Sequence, residues 1–269
     1  MKTASRIYLG VIFFLLYLPI VVLMLFSFNS SASTGNFTGF SLYWYRELFS
    51  RTDVFDALKN TLIVAGLSAL ISTVIGTAAV IGIEKLRHRH VKNVVNAVTN
   101  IPMMNPEIVT GISMMLLFVA VFSIFGDSMA LGFGTVLIAH ITFNLPYVIL
   151  NVTPKVRQLD RNLSEAAMDL GCTPIQSFFR VELPNILSGV ISGFIMAFTL
   201  SLDDLVITYF VSGAEFQTLP ILIYNITKKP VKPDIYALFT LIIITIFALL
   251  LISNLISARG ERKQAKARR

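Results

Sequence analysis

A single cysteine, Cys172, cannot form an internal disulfide, so a disulfide-stapled scaffold and dithiol redox chemistry are excluded. Histidine is almost as scarce. His88 and His90 lie in a basic stretch and His140 stands alone, a spacing that offers neither a metal site nor a catalytic triad. No G-x-x-x-x-G-K-[ST] phosphate loop occurs and no glycine-rich turn follows a strand, so nucleotide hydrolysis is not expected of this chain. No direct internal repeat is evident, inverted repeats being left open, and low-complexity tracts and a Pro/Gly/Ser linker long enough to separate domains are lacking. Charged residues make up 14% of the 269, against about 25% in an ordinary soluble domain.

Apolar side chains fill the gap. Hydrophobic residues are 55% of the chain and the mean hydropathy is +0.75, the composition of an integral membrane protein. A helix needs roughly 20 apolar residues to cross the hydrocarbon core. Six stretches qualify: 7 to 28, 61 to 83, 94 to 125, 130 to 152, 186 to 211 and 235 to 257. The expected fold is all-α, a polytopic transmembrane bundle of six spans. The expected organisation is a first helix and outer loop over 1–58, one transmembrane domain over 59–257 that contains the 155–184 loop, and a basic tail over 258–269, which is expected to be disordered. The first apolar run exceeds the roughly 7 to 15 residues of a signal-peptide core, so the following Ser31-Ala32-Ser33 is not read as a cleavage site.

Short cytoplasmic loops retain Lys and Arg. With the amino terminus inside, sixteen of the 22 basic residues fall on the cytoplasmic side: Lys2, Arg6, those of 85–92, Lys155, Arg157, Arg161, Arg180 and the tail from Arg259. Both termini and the 153–185 loop are therefore expected in the cytoplasm. The formal charge of +7 is juxtamembrane, where anionic lipid headgroups attract it, and nucleic acid is not an expected partner. Tyr43-Trp44-Tyr45 in the first outer loop suits a short helix at headgroup level, and Trp44 is a candidate contact for substrate or a docking protein.

Two segments carry the functional signal. Between the fourth and fifth spans, Ser164 and Glu165 precede Ala166, Ala167, Met168, Asp169 and Leu170, so the Ser164 hydroxyl is expected to cap a short helix with small residues that permit close approach. Gly171 can end that helix in the left-handed conformation, and Pro174 suits the first turn of a second, amphipathic one with Ile175, Phe178 and Phe179. A loop so structured is expected to dock on a partner. In the third span, Pro102 and Pro106 interrupt hydrogen bonding among Thr99, Asn100 and Asn105, and broken polar helix at membrane depth belongs where it lines a watery path or is buried in protein. Pro146, after His140, marks a similar place.

Glu107, Asp203 and Asp204 lie within expected spans. A charge at bilayer depth costs about 2.5 to 3.5 kcal/mol on lenient scales, so such groups face an aqueous interior or a counter-charge. No Lys or Arg within the spans is placed to pair with them, which favours a cationic substrate. Neighbouring helix residues point about 100° apart, so one aspartate is expected to face a cavity while the other bonds a neighbouring subunit or caps a break. Counting along the helices places the aspartates toward the outer leaflet and Glu107 nearer the middle.

The spaced pattern Glu165-Ala166-Ala167, three residues, Gly171, nine residues, Val181-Glu182-Leu183-Pro184 resembles the cytoplasmic coupling loop of ABC importer permeases at every position. With Pro102 to Glu107, Phe198 to Asp204, Leu18-Pro19-Ile20, Phe26 to Ser31 and His140 to Phe143, the chain resembles, over nearly its whole length, the permease of a polyamine importer of the spermidine/putrescine C type. Glu107 stands where that family would carry Asp. The resemblance implies a type I (MetI-like) fold and no enzyme activity in this chain. It implies coupling contacts through Glu165, Ala166, Ala167, Asp169, Leu170, Gly171, Pro174, Leu183 and Pro184, while Glu107, Asp203, Asp204 and Trp44 are the candidate pathway residues on the grounds of buried charge and aromatic placement. The implied partners are a second homologous permease, two ABC ATPases that bind and hydrolyse ATP, an extracytoplasmic binding protein and membrane lipid in a bacterial inner membrane. Thiamine, iron(III) or sulfate permeases of the same class stay open, as does an ion-coupled transporter using the three acids as relays.

Overall fold

The structure is a computed structural model and describes residues 2–31, 36–86, 88–125, 130–228, 233–245 and 247. In order it forms α1 (Lys2–Phe26), α2 (Tyr43–Ser50), α3 (Thr52–Lys85), α4 (Arg89–Met104), α5 (Glu107–Phe125), α6 (Phe133–Gln158), α7 (Arg161–Asp169), α8 (Pro174–Ser177), a π-helical turn (Phe178–Glu182), α9 (Leu183–Asp203), α10 (Val206–Val211), α11 (Leu219–Thr227) and α12 (Pro233–Thr245). Among the described residues five helices are long and apolar enough to cross a membrane: Arg6–Phe26, Thr52–Lys85, Glu107–Ile124, Phe133–Gln158 and Pro174–Asp203. α12 is a shorter apolar helix, and the rest of the expected sixth span, with the basic tail, lies outside the described residues.

Several expected spans have different limits: the second runs Thr52–Lys85 and the fourth Phe133–Gln158, and the third and fifth differ more. The third divides at Asn105, whose extended backbone (φ −78°, ψ 140°) is what a following proline imposes, while Pro102 stays inside α4. The fifth begins earlier, at Pro174, and stops at Asp203 instead of running through residue 211. Asp204 is extended there (ψ 120°) and the chain restarts as α10.

The chain forms two compact units, one of Met1–Val54 with Ile223–Arg269 and one of Phe55–Leu222. In the first, Asn29 organises the stretch after α1. It pairs with Phe40 across an antiparallel bridge, its side chain accepts the Thr38 N–H at 2.9 Å, and its carbonyl accepts the Trp44 indole N–H at 2.7 Å. Phe28 stacks on Phe40 with centroids 5.1 Å apart. Arg51 bridges Asp53 and, at 2.7 Å, Asp234.

In the second unit α6 and α9 pack through small residues. Gly189, Gly193, Ala197 and Ser201, each four residues after the last, are all buried on one face of α9. A Cβ at Gly189 would lie 2.7 Å from Lys155 Cγ and 3.2 Å from the Asn151 carbonyl, and one at Gly193 would sit 3.4 Å from Val148 Cα. Gly76 brings α3 equally close to Val148. Helices meeting in lipid gain little from hydrophobicity itself, so close backbone approach and interhelical hydrogen bonds hold them. A second cluster, Val64, Phe118, Val136, Ala139, Phe143, Ile207 and Val211, joins α3, α5, α6 and α10.

Candidate functional site

Within the Phe55–Leu222 unit the docking-type segment is built from local backbone signals. Asp160, not Ser164, caps α7, its carboxylate accepting the Asn162 N–H at 3.0 Å. Ser164 lies inside the helix, and its hydroxyl donates to Glu182 at 2.8 Å and meets Ser177 at 3.0 Å. α7 ends at Gly171 with φ +91°; the Gly171 N–H bonds the Met168 carbonyl and the Cys172 N–H the Ala167 carbonyl, the paired bonds of a Schellman ending. Thr173 and Gln176 then form a capping box around Pro174, which starts α8. The π turn follows, closed by Leu183 N–H on the Phe178 carbonyl. Pro184 has no N–H to give and its ring would crowd the carbonyl four residues back, and a widened turn at this point accommodates both defects in a continuous helix.

This arrangement sorts the segment by exposure. Glu165, Ala166, Asp169, Leu170, Gly171, Pro174 and Pro184 are exposed, Leu183 is half-buried and Ala167 is buried. Leu170 (88% exposed), Ile175 (71%) and Phe179 (60%) are apolar groups held out on a stiff hairpin. Ser177 and Glu182 are buried and bind the hairpin to itself through Ser164. Sequence reasoning missed the Glu182 contact; the available signal was an acid between Val181 and Leu183.

Asp203 and Asp204 lie at the α9–α10 break, with Glu107 near them. α5 starts at Glu107, and one turn on, Gly111 lets α5 press against α10: a Cβ there would stand 2.8 Å from the Phe210 ring and 3.3 Å from Ile207 Cα. Glu107 thereby comes within electrostatic reach of both aspartates. Glu107 and Asp203 are exposed; Asp204 is buried. Asp204 accepts from the Ile207 N–H (3.3 Å), the Thr208 N–H (2.8 Å) and the Thr208 hydroxyl (2.6 Å), and so caps α10.

His140 does not stand alone. Its Nε2 lies 2.8 Å from Thr208 Oγ1 and 3.3 Å from Asp204 Oδ2, and its Nδ1 lies 2.5 Å from Ser201 Oγ. Ser68 donates to Ser201 at 3.0 Å and Asn144 to Ser68 at 3.4 Å. His140, Asn144 and Ser201 fall on different helices far apart in sequence, so spacing gave no sign of the network; the small-residue row ending at Ser201 was readable. Trp44 is 7% exposed and hydrogen-bonded within its own unit.

Comparison with known proteins agrees with this architecture. Residues 72–266 match the family described as binding-protein-dependent transport system inner membrane component. The putrescine transport system permease protein PotI of Escherichia coli (strain K12) is 37% identical over 254 residues, covering 94% of this chain and 90% of that protein. The spermidine/putrescine transport system permease protein PotC of Haemophilus influenzae is 34% identical, covering 94% and 96%. In structure the chain resembles a bacterial ABC transporter involved in the import of the acidic polysaccharide alginate, with a TM-score of 0.72 at 16% identity over 96% of this chain and 95% of that one. The same transporter type in complex with an alginate pentasaccharide-bound periplasmic protein gives 0.69, also at 16% identity, over 93% and 92%. The fold is that of ABC importer permeases, and this multi-pass membrane protein, a transport permease and not an enzyme, belongs to the family of binding-protein-dependent transport system inner membrane components.

Proposed function

We propose that this chain is a pathway-forming subunit of an ATP-driven polyamine importer, working with a second homologous permease, two cytoplasmic ABC ATPases and an extracytoplasmic binding protein in a bacterial inner membrane. The observation that carries the substrate class is the exposed pair Glu107 and Asp203 at a helix break, in relatives' company named for putrescine and spermidine. Unit charges about 4 Å apart at an effective dielectric of about 20 attract by roughly 4 kcal/mol, enough to offset much of an ammonium group's lost hydration. Sulfate would meet repulsion at the same place. Two weak stations also suit passage better than one tight site, since the solute must leave again.

Asp204 and Trp44 take different roles in this reading. Asp204 holds the break through α10, and Trp44 holds the segment after α1 through Asn29. The hairpin from Asp160 to Pro184 receives the ATPases, with Leu170, Ile175 and Phe179 as its apolar contacts and Glu165 and Asp169 at its polar rim. Both termini and this hairpin face the cytoplasm, and residues 59–257 act as the permease domain. The test is uptake of radiolabelled putrescine and spermidine by vesicles holding the complete importer. Uptake should need internal ATP and survive collapse of ion gradients; uptake driven by a gradient without ATP would replace this reading with an ion-coupled carrier, and ATP-driven uptake of thiamine or an anion instead would replace its substrate.

A further inference from the structure

At the α9–α10 break the Asp204 end of the buried network has a direction. An ionised Asp204 can only accept, and the Thr208 hydroxyl spends its proton on Asp204 Oδ2 at 2.6 Å. The His140 Nε2 facing that hydroxyl oxygen at 2.8 Å must therefore be the donor. On the other side of the ring Nδ1 lies 2.5 Å from Ser201 Oγ, and Ser201 accepts from Ser68 and Ser68 from Asn144. These contacts link α3 and α6 to the Asp204 carboxylate. Buried polar groups joined in this way favour one arrangement over its neighbours, with Asn144 Oδ1 at the far end left without a partner.

Asp203 is the next residue. It ends α9, Asp204 leaves the helix at ψ 120°, and Asp203 stays exposed while Asp204 is drawn into the network. Whatever holds Asp204 also sets the direction of Asp203. We propose that His140 is a positioning residue for solute passage, its Nε2–H fixing Asp204 and Thr208 so that Asp203 presents its carboxylate to the ammonium groups of a polyamine. The inference rests on the reading of Glu107 and Asp203 as cation stations.

The test uses the assembled importer in vesicles and measures ATP-driven putrescine uptake against substrate concentration. His140→Gln keeps a donor near the Nε2 position, whereas His140→Asn keeps a polar group near Nδ1 and loses the donor. His140→Asn should raise KM about tenfold with Vmax within about twofold, and His140→Gln should stay near the parent. Thr208→Val, nearly isosteric and without the bridging hydroxyl, should behave as His140→Asn, and Thr208→Ser as the parent. Equal effects of Asn and Gln at 140, a parental KM in His140→Asn, or loss of assembly in both His140→Asn and Thr208→Val would overturn the positioning role. Asp203→Asn separates the two levels: a parental KM there sinks the cation station itself, while a raised KM there with a parental His140→Asn sinks His140 alone.

Discussion

The hairpin between α6 and α9 and the break between α9 and α10 are both interruptions of membrane helices, yet they are held in opposite ways. The hairpin is closed by near neighbours in sequence: Asp160 on Asn162, the Schellman pair at Gly171, the Thr173–Gln176 box. The break is closed by side chains from four helices, with Ser68, His140, Ser201 and Thr208 all buried. A locally closed segment can keep its shape while its outer face is given to a partner. A break closed by tertiary contacts ties its shape to the packing of the whole bundle, which suits a place where adjacent acids must be told apart.

The sharpest way to break this comparison is to treat Asp203 and Asp204 alike. Asp204→Asn turns an acceptor of three hydrogen bonds into a group with a donor facing donors, and an unsatisfied buried group costs about 1 to 3 kcal/mol. Fluorescence-detected size exclusion should show several-fold less assembled importer. Asp203→Asn, at an exposed position, should leave assembly unchanged and lower putrescine uptake instead; matching profiles for the two variants would mean that the acids are not divided in role.

Gly171→Val tests the hairpin through its backbone alone, since nothing lies within 4 Å of a Cβ there while φ is +91°. A β-branched residue in that conformation costs on the order of 1 to 3 kcal/mol, so the α7 ending should open. Membrane insertion should stand, and ATP-driven uptake should drop by about an order of magnitude through weaker ATPase association. Parental uptake would show that the left-handed ending is dispensable.

A smaller effect is expected where the hairpin departs from the local rule. Ser164→Ala removes the donor to Glu182, a bond to a charged group worth about 1.5 to 3 kcal/mol, but leaves every backbone cap in place. The ATPases should still co-purify, with solute moved per ATP reduced a few-fold; an unchanged ratio would confine Ser164 and Glu182 to local packing. Smallest of all, labelling Cys172, the lone cysteine and half-buried, with an impermeant maleimide should require permeabilised cells and should leave uptake unaltered. Labelling in intact cells would invert the proposed orientation.

What the sequence by itself determined follows from short-range physics. Apolar runs marked the spans, Pro106 marked the divided third helix, and Gly171 with Thr173-Pro174 marked the hairpin, because caps, positive φ and missing N–H groups act within a few residues. Even there it mistook Ser164 for a cap, since a hydroxyl near a helix start looks the same whether it faces the backbone or a distant Glu182. The tertiary structure alone decided that the fifth span stops at Asp203, that Glu107 reaches the aspartates, and that Asp204 is an anchor. Those outcomes depend on which helix faces cross, as Gly111 against Ile207 and Ser201 against His140 show, and a crossing is set by the complementary side-chain surfaces of both helices, which spacing along one helix does not encode.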